Sequence, residues 1–395
     1  MEGCKIERGR KKEQFHPTLF SYCQGVGLVL WLGISSAFGV VFFHVVPYMS
    51  AMLFLRPFLY RTLADELIGS WLIYCMALLE YMMGLKVVIT GDKMYPGERS
   101  LIIMNHRTRL DWLYFWSVLI RQSGVKTEKI ILKSLLKKIP GAGWAMQVGG
   151  FIFIERKWES DKKVLNKMVN YFTDMNHKTQ VLLFPEGTDF TSRTKARSDE
   201  FAKKNGWNTF DYCLHPRTTG FTYLIQLMRQ NNHLDVIYDV SVAYPYNFPQ
   251  QEPELLMGNV PKEVHFHIKR HPIDSLPTSE SDLKTWCQQR WEEKERQLAQ
   301  FYKVNAFPAN PVTDDNDKVK GYMCSAEMMM CLALVYWTVF VIGIALILYY
   351  STIACWFAIV QVIIYVYMGH IYGGFEIFQA DYFNWFFKGK QKLQD

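Results

Sequence analysis

Two polar residues near the middle of the first half of the chain have the types of a general base and its partner. His106 comes shortly after the apolar run 101–104, and Asp111 follows five residues later. A histidine titrates near neutrality and can take a proton from an attacking alcohol, while a carboxylate fixes its tautomer and stabilises the imidazolium. Five residues of a regular helix turn through about 500°, so the pair meets only if His106 lies in a turn and Asp111 opens the next helix. Taken alone, this spacing is as typical of a histidine that caps a helix.

A second apolar run, 181–183, ends in Phe184-Pro185-Glu186-Gly187-Thr188. Open α/β sheets bind ligands at the carboxyl ends of their strands, so both runs are predicted to be buried strands that end at a binding edge. The amides beyond Pro185 are expected to form a small turn that binds an anion or a hydroxyl. The alternative is that Glu186 only caps the next helix. The G-x-S-x-G nucleophile elbow is absent from the sequence.

The region around these runs alternates between predicted strands and helices, which favours an α/β fold with a mainly parallel sheet covered by helices. The predicted strands are Lys86–Thr90, Leu101–Met104, Lys129–Lys133, Gly150–Glu155, Gln180–Phe184, Val236–Tyr244 and Glu263–Lys269. The predicted helices are Asp111–Gln122, Ser160–Met175, Thr219–Arg229 and Glu280–Tyr302.

Long uncharged segments flank this region, since 21–55 and 328–375 contain no Lys, Arg, Asp or Glu. Their lengths suit membrane helices at the N-terminus and a transmembrane hairpin at the C-terminus that turns near Tyr350 to Thr352. A short charged break with Arg56, Arg61, Asp65 and Glu66 is expected before a second N-terminal segment. In that segment Glu80 would occupy an interfacial position or partner a nearby base. Whether the N-terminal helices span the bilayer or lie in one leaflet is left open. The predicted segments are 1–19, a cytosolic basic arm; 20–85, membrane helices; 86–304, the catalytic domain; 305–327, a linker; 328–375, the hairpin; and 376–395, a basic tail.

The net charge of +7 fits an anionic lipid surface and phosphate-bearing substrates. Nucleic acid is not expected as a partner, because no basic stripe interleaved with aromatic residues occurs. The eight cysteines are scattered without a C-x-x-C pair, which argues against a disulfide framework and a zinc site. His265, His267 and His271 lack a carboxylate or cysteine to complete a ligand set, so no metal site is predicted.

Three sequence blocks follow one another along the chain: Asn105–Trp112 with its Asn-His-x4-Asp motif, Gly150–Arg156 and Phe184–Thr188. In this order and spacing they resemble the glycerophospholipid acyltransferase family (the 1-acylglycerol-3-phosphate, or PlsC-like, acyltransferases). Two further blocks, His215–Phe221 and Val242–Pro245, together with Asn105–Trp112, more closely resemble a subgroup of lysocardiolipin and lysophosphatidylinositol acyltransferases. The resemblance covers about Lys86 to Tyr302. Together these blocks are far more specific than any one motif.

The resemblance implies roles for individual residues. His106 is expected to be the general base, oriented by Asp111, and the Glu186-Gly187-Thr188 turn is expected to bind the acceptor. Asn105 is a candidate donor to the oxyanion.

Two arginines and two lysines are candidates for binding phosphate groups. Arg156 and Arg217 offer guanidinium groups that match phosphate oxygens, with Thr218 or Thr219 capping the helix after Arg217. The alternative for Arg156 is a surface ion pair with Glu155 or Glu159. Lys133 and Lys137 are candidates for the phosphates of coenzyme A, or else a solvated face.

The resemblance implies a membrane enzyme that transfers a fatty acyl chain from acyl-CoA to the free hydroxyl of a lysophospholipid. No permanently bound cofactor is expected, and the partners would be acyl-CoA, the lysophospholipid acceptor and the bilayer. A multi-pass location in the endoplasmic reticulum, with the catalytic domain facing the cytosol, follows from the basic termini. Alternatives are the formation of phosphatidate from 1-acylglycerol-3-phosphate, a CoA-independent transacylase, a hydrolase, and a non-catalytic lipid-binding protein.

Overall fold

A computed structural model of the chain describes residues 15–43, 52–308 and 325–388. Most of the predicted basic arm and linker, and the end of the predicted tail, therefore lie outside the described residues. All seven predicted strands are present, each within two residues of its predicted bounds except at the end of the last. The strands are β1 Lys86–Gly91, β2 Ser100–Met104, β3 Glu128–Lys133, β4 Ile152–Ile154, β5 Gln180–Leu183, β6 Val236–Ala243 and β7 Glu263–Pro272.

Twelve α-helices occur among the described residues. They are α1 Leu19–Phe43, α2 Pro57–Ala77, α3 Asp111–Arg121, α4 Ala142–Val148, α5 Trp158–Asp174, α6 Ser192–Lys204, α7 Thr218–Gln230, α8 Pro253–Leu256, α9 Glu280–Val304, α10 Ala326–Tyr350, α11 Thr352–Tyr367 and α12 Phe375–Phe383. The four helices predicted between the long uncharged segments correspond to α3, α5, α7 and α9. Helices α4, α6 and α8 were not predicted, α6 because it is highly charged and has few apolar residues to show a helical period.

The chain divides into two compact units that alternate along the sequence. The first unit takes its described residues from Met1–Leu28, Leu78–Gly124 and Gln180–Ala326. The second takes its own from the intervening segments, including Val125–Thr179. This division differs from the predicted segments, in which 86–304 forms one domain, because Val125–Thr179 groups with the N- and C-terminal helices.

The sheet of the first unit has the strand order β1-β7-β6-β2-β5. Strands β2 and β5 are parallel, β2 and β6 are parallel, and only β6 and β7 run antiparallel. Every residue of β2 and β6 is buried, as expected for strands covered on both faces. The carboxyl ends of β5, β2 and β6 therefore lie side by side, at the edge where this fold class places its ligands.

In the second unit, β3 and β4 form a parallel pair, and α2, α4, α5 and α12 pack together around them. Gln147 of α4 accepts a hydrogen bond from the amide of Phe375 (2.8 Å) and donates one to the carbonyl of Lys137 (2.8 Å). The predicted basic tail thus begins with a packed helix, because α12 buries Phe375, Gln379, Ala380 and Phe383.

The predicted charged break between the N-terminal segments is wrong, because α2 runs through it without interruption. Arg61 and Asp65 are buried and form an ion pair of 2.8 Å one turn apart. The Nζ atom of Lys129 lies 2.7 Å from Oδ1 of Asp65, and Nε2 of His177 lies 2.8 Å from Oδ2. These charges satisfy one another inside the second unit, so they do not end the helix.

Within the described ranges, four helices are long and apolar enough to cross a membrane, judged by length and composition: Leu19–Phe42, Pro57–Met82, Ala326–Tyr350 and Thr352–Tyr372. The last two form the predicted hairpin around Ser351. Glu80, at the end of the second span, accepts hydrogen bonds from Arg121 at 2.7 and 2.9 Å and from Ser117 at 2.6 Å. The prediction that Glu80 partners a nearby base is confirmed.

Candidate active site

The turn after β2 brings His106 and Asp111 together. Nδ1 of His106 lies 3.0 Å from Oδ2 of Asp111, and Asp111 is the first residue of α3. This is the arrangement that the five-residue spacing requires. With Nδ1 held by the carboxylate, Nε2 is the nitrogen that can accept a proton. The His106 side chain is 16% exposed and that of Asp111 is fully buried, so the imidazole is accessible from outside and the carboxylate is not.

Two further contacts fix His106, one to its ring and one to its backbone. The Phe184 ring stacks on the imidazole with a centroid separation of 4.2 Å. The amide of Phe190 donates to the His106 carbonyl over 2.8 Å. Since Phe184 follows β5, these contacts join the two predicted polar turns into one site.

Glu186 is buried beneath this site. Its Oε1 atom accepts a hydrogen bond from the indole Nε1 of Trp291, at 3.2 Å. Burial raises the pKa of Glu186 to about 8, although Trp291 and the amides of His106 and Leu214 oppose that rise. Glu186 is therefore mostly uncharged at neutral pH.

The turn at Glu186 is closed by Gly187, whose amide donates to the Phe184 carbonyl over 2.9 Å. Gly187 has φ +72°, a conformation that favours glycine. A Cβ atom there would lie 3.3 Å from Cδ of Arg217, and the Arg217 amide donates to the Pro185 carbonyl over 2.8 Å. The structure therefore brings Arg217 against the Glu186-Gly187-Thr188 turn.

Neither threonine after Arg217 caps α7. The helix starts at Thr218, Arg217 occupies the N-cap position, and no side chain makes a capping hydrogen bond. The predicted cap at Thr218 or Thr219 is wrong. Nearer the site, Oγ1 of Thr188 makes a long hydrogen bond of 3.5 Å to Asp189, and its role in binding stays a prediction.

Asn105 is buried, and its side chain pairs with the backbone of β6. Its Nδ2 donates to the carbonyl of Val242 at 3.1 Å, and the Val242 amide donates to its Oδ1 at 2.8 Å. These bonds tie the end of β2 to β6 and so fix the start of the His106 turn. Substrate binding by Asn105 stays a prediction, and the contacts show a structural role.

Arg156, Lys133 and Lys137 lie in the second unit. Arg156 follows β4, is exposed and has φ +64°, while the neighbouring Glu155 lies 4.0 Å from Lys157. Lys133 is also exposed. Lys137 contacts Glu376 at 3.7 Å and donates to the carbonyl of Gly373. Phosphate binding by these three residues stays a prediction.

Two residues of the site were not assigned a role from the sequence. The hydroxyl of Tyr244 donates to Oδ1 of Asp111 over 2.6 Å, and Trp291 reaches Glu186 from the middle of α9. Tyr244 stands in one of the five blocks of the resemblance, and Trp291 is a large apolar residue in a charged helix. These two sequence features single out Tyr244 and Trp291, but they do not predict that Asp111 and Glu186 are their partners. Among the described residues, no group of three or more His, Cys, Asp or Glu side chains could hold a metal ion.

Two protein families match parts of this chain. Residues 86–245 match the Acyltransferase family, and residues 254–331 match the Acyltransferase C-terminus family. Lysocardiolipin acyltransferase 1 of Gallus gallus is 47% identical over 376 residues, which cover 94% of this chain and 97% of that protein. The chain belongs to the glycerophospholipid acyltransferase family. It is an acyltransferase, and its helices indicate a membrane protein.

Other similar proteins align with less of this chain. Lysophosphatidylinositol acyltransferase 10 of Caenorhabditis elegans is 45% identical over 246 residues, covering 62% of this acyltransferase and 63% of that protein. The crystal structure of the 1-acyl-sn-glycerophosphate acyltransferase PlsC from Thermotoga maritima is 15% identical. It covers 73% of this chain and 100% of its own, with a TM-score of 0.45.

Proposed function

We propose that this acyltransferase transfers a fatty acyl chain from acyl-CoA to the free hydroxyl of an anionic lysophospholipid. The acceptors would be lysophosphatidylinositol, lysocardiolipin and lysophosphatidylglycerol. The observation that carries the proposal is the 3.0 Å contact of His106 with a buried Asp111 at the carboxyl edge of the sheet. The names of the chicken and nematode relatives support this choice of acceptors.

In the proposed reaction, Nε2 of His106 takes the proton of the acceptor hydroxyl as its oxygen attacks the thioester carbonyl carbon. Asp111 stabilises the imidazolium that forms. The tetrahedral intermediate then collapses, the C–S bond breaks, and the imidazolium returns its proton to the departing CoA thiolate. The thioester is already activated, so no covalent enzyme intermediate is needed. Base catalysis of this kind contributes about 10²–10⁴ in rate.

The acceptor would bind beside His106 at the turn Glu186-Gly187-Thr188. Arg217 packs against Gly187, and its guanidinium would bind the acceptor phosphate through two parallel hydrogen bonds. Arg156 is a second candidate for that phosphate, while Lys133 and Lys137 are candidates for the phosphates of CoA. For Lys137, CoA would have to compete with Glu376.

The enzyme is proposed to reside in the endoplasmic reticulum membrane with its catalytic residues on the cytosolic side. The four candidate membrane helices support a multi-pass arrangement. Both lipid substrates partition into the bilayer, so a membrane-bound enzyme meets them where they are concentrated.

A second candidate function is the formation of phosphatidate from 1-acylglycerol-3-phosphate. The Arabidopsis thaliana protein named probable 1-acyl-sn-glycerol-3-phosphate acyltransferase 5 favours it, being 37% identical over 270 residues. His106 and Asp111 could act on either acceptor, so recognition of the headgroup decides between the two functions.

An acceptor panel tests the proposal. Detergent-solubilised enzyme would receive labelled oleoyl-CoA with lysophosphatidylinositol, monolysocardiolipin, lysophosphatidylglycerol or lysophosphatidate, beside the variants His106→Ala and Asp111→Asn. We expect the first three acceptors to be preferred and both variants to lose most of their turnover. A preference for lysophosphatidate would select the second function. CoA release without an acceptor would indicate a hydrolase, and undiminished activity of His106→Ala would refute the mechanism.

A further inference from the structure

Asp111 holds His106 through only one of its two carboxylate oxygens. Oδ2 faces Nδ1 of His106 at 3.0 Å and accepts the backbone amide of Thr108, also at 3.0 Å. The other oxygen, Oδ1, accepts the hydroxyl of Tyr244 at 2.6 Å. The short O···O distance is typical of a hydrogen bond to a charged acceptor.

Tyr244 reaches Asp111 because of the sheet topology. It directly follows β6, whose neighbour β2 runs parallel to it and leads into the turn of His106. Tyr244 is 1% exposed. Burial, together with the neighbouring Asp111, raises the pKa of the Tyr244 hydroxyl well above its usual range. The hydroxyl therefore stays protonated and acts as a donor throughout the physiological pH range.

We propose that Tyr244 is a positioning residue for acyl transfer, whose hydroxyl orients Asp111 and through it the catalytic His106. This inference rests on the proposed function, because it assumes that His106 is the base. The backbone amide of Thr108 fixes one oxygen of the carboxylate, and Tyr244 fixes the other. Together they prevent the carboxylate from rotating away from Nδ1. Tyr244 is buried, so it acts without contacting the acceptor.

The chain offers a matched control in Tyr114. Tyr114 is also fully buried, and its ring lies 6.1 Å from that of Tyr244. Among the described residues, its hydroxyl has no hydrogen-bond partner. The variants Tyr244→Phe and Tyr114→Phe therefore delete the same atom from neighbouring buried rings, and only the first loses a contact with Asp111.

The test measures kcat and KM of the full-length enzyme in detergent at neutral pH, with oleoyl-CoA and lysophosphatidylinositol. For Tyr244→Phe we expect kcat to fall about 10- to 100-fold, as for a lost hydrogen bond to a charged group. KM for the acceptor should be unchanged, because Tyr244 does not contact it. Tyr114→Phe should match the unmodified enzyme in both kcat and KM.

Several results would overturn the inference. One is a kcat of Tyr244→Phe that is unchanged, or that falls by the same factor as in Tyr114→Phe. Another is a rise in KM without a fall in kcat, which would place Tyr244 in the acceptor site. The variant His106→Ala separates this failure from failure of the proposed function. If His106→Ala is inactive while Tyr244→Phe is normal, only the role of Tyr244 is refuted.

Discussion

Replacing Glu186 with glutamine is expected to stabilise the protein at neutral pH. The folded protein holds the pKa of Glu186 at about 8, against an ordinary value of 4.5, because burial penalises its charged form. Folding therefore favours the protonated acid. Glutamine has nearly the same shape and cannot ionise, so Glu186→Gln keeps the hydrogen bond from Trp291 and removes the dependence on pH.

The size of the effect follows from this pKa. A raised carboxyl pKa contributes stability that is fully present below 4.5 and is lost as the pH rises to about 8. Between the ordinary pKa of 4.5 and pH 7 lie about 2.5 pH units, and each costs about 1.4 kcal/mol of unfolding free energy. The loss of stability at pH 7 is therefore about 3 kcal/mol. The gain in Glu186→Gln should thus be near zero around pH 4.5, about 3 kcal/mol at pH 7, and constant above about pH 8.

Denaturant unfolding in detergent, followed by Trp fluorescence at several pH values, measures this difference. Glu200→Gln is the control, because Glu200 is exposed and Lys204 lowers its pKa. The control should not gain stability as the pH rises. The reasoning is refuted if the advantage of Glu186→Gln is the same at every pH, or if the variant is less stable at pH 7. We also expect Glu186→Gln to keep its acyltransferase activity at pH 7, where Glu186 itself is mostly neutral.

Three further substitutions, one of them with a control variant, test other parts of the structure. Asp65→Ala leaves two buried cations without their shared carboxylate and should cost about 3–5 kcal/mol in unfolding free energy, and an unchanged melting temperature would contradict this. Gly187→Ala should lose about 1–2 kcal/mol from its positive φ, and should also raise the acceptor KM by displacing Arg217. Gly206→Ala has a similar φ (+69°) but open space around it, so it should lose stability only. Glu295→Gln weakens a carboxylate that accepts three consecutive backbone amides, 211–213, and should speed proteolysis of that loop.

The strands and the His106–Asp111 contact were predictable from the sequence because their signals are local. An apolar run that ends in polar residues marks the carboxyl end of a buried strand. Two polar residues five positions apart can then meet only if one lies in the turn after β2 and the other opens α3. The structure confirms this geometry, and the catalytic roles of the two residues stay predictions.

The remaining contacts of the site depend on which strands are neighbours. Tyr244 is 133 residues from Asp111, and Trp291 is 105 residues from Glu186. Sequence separations of this size produce no periodic pattern. The Tyr244 contact requires β6 to lie beside β2, and the Trp291 contact requires α9 to pack against the sheet. Strand order could not be derived from alternation alone, so these partners could not be assigned.

The charged residues of α2 failed as a boundary signal for a different reason. Charges interrupt an apolar segment only where water solvates them. Arg61 and Asp65 are instead neutralised inside the second unit, by each other and by Lys129. The pKa of Lys129 falls to about 8 because burial outweighs its attraction to Asp65. The partner that makes the charges compatible with the helix lies 64 residues away.

The two carboxyl groups of the active site have contrasting surroundings, and the contrast fits the proposed acceptor. Asp111 accepts hydrogen bonds from Thr108 and Tyr244 and pairs with His106, and such donors suit an anion that must stabilise an imidazolium. Glu186 has an indole donor and is mostly neutral at pH 7. If an anionic phosphate binds Arg217 as proposed, a charged Glu186 in the adjoining turn would repel it. Burial of Glu186 removes that repulsion and leaves the negative charge of the site on Asp111, where the proposed reaction would use it.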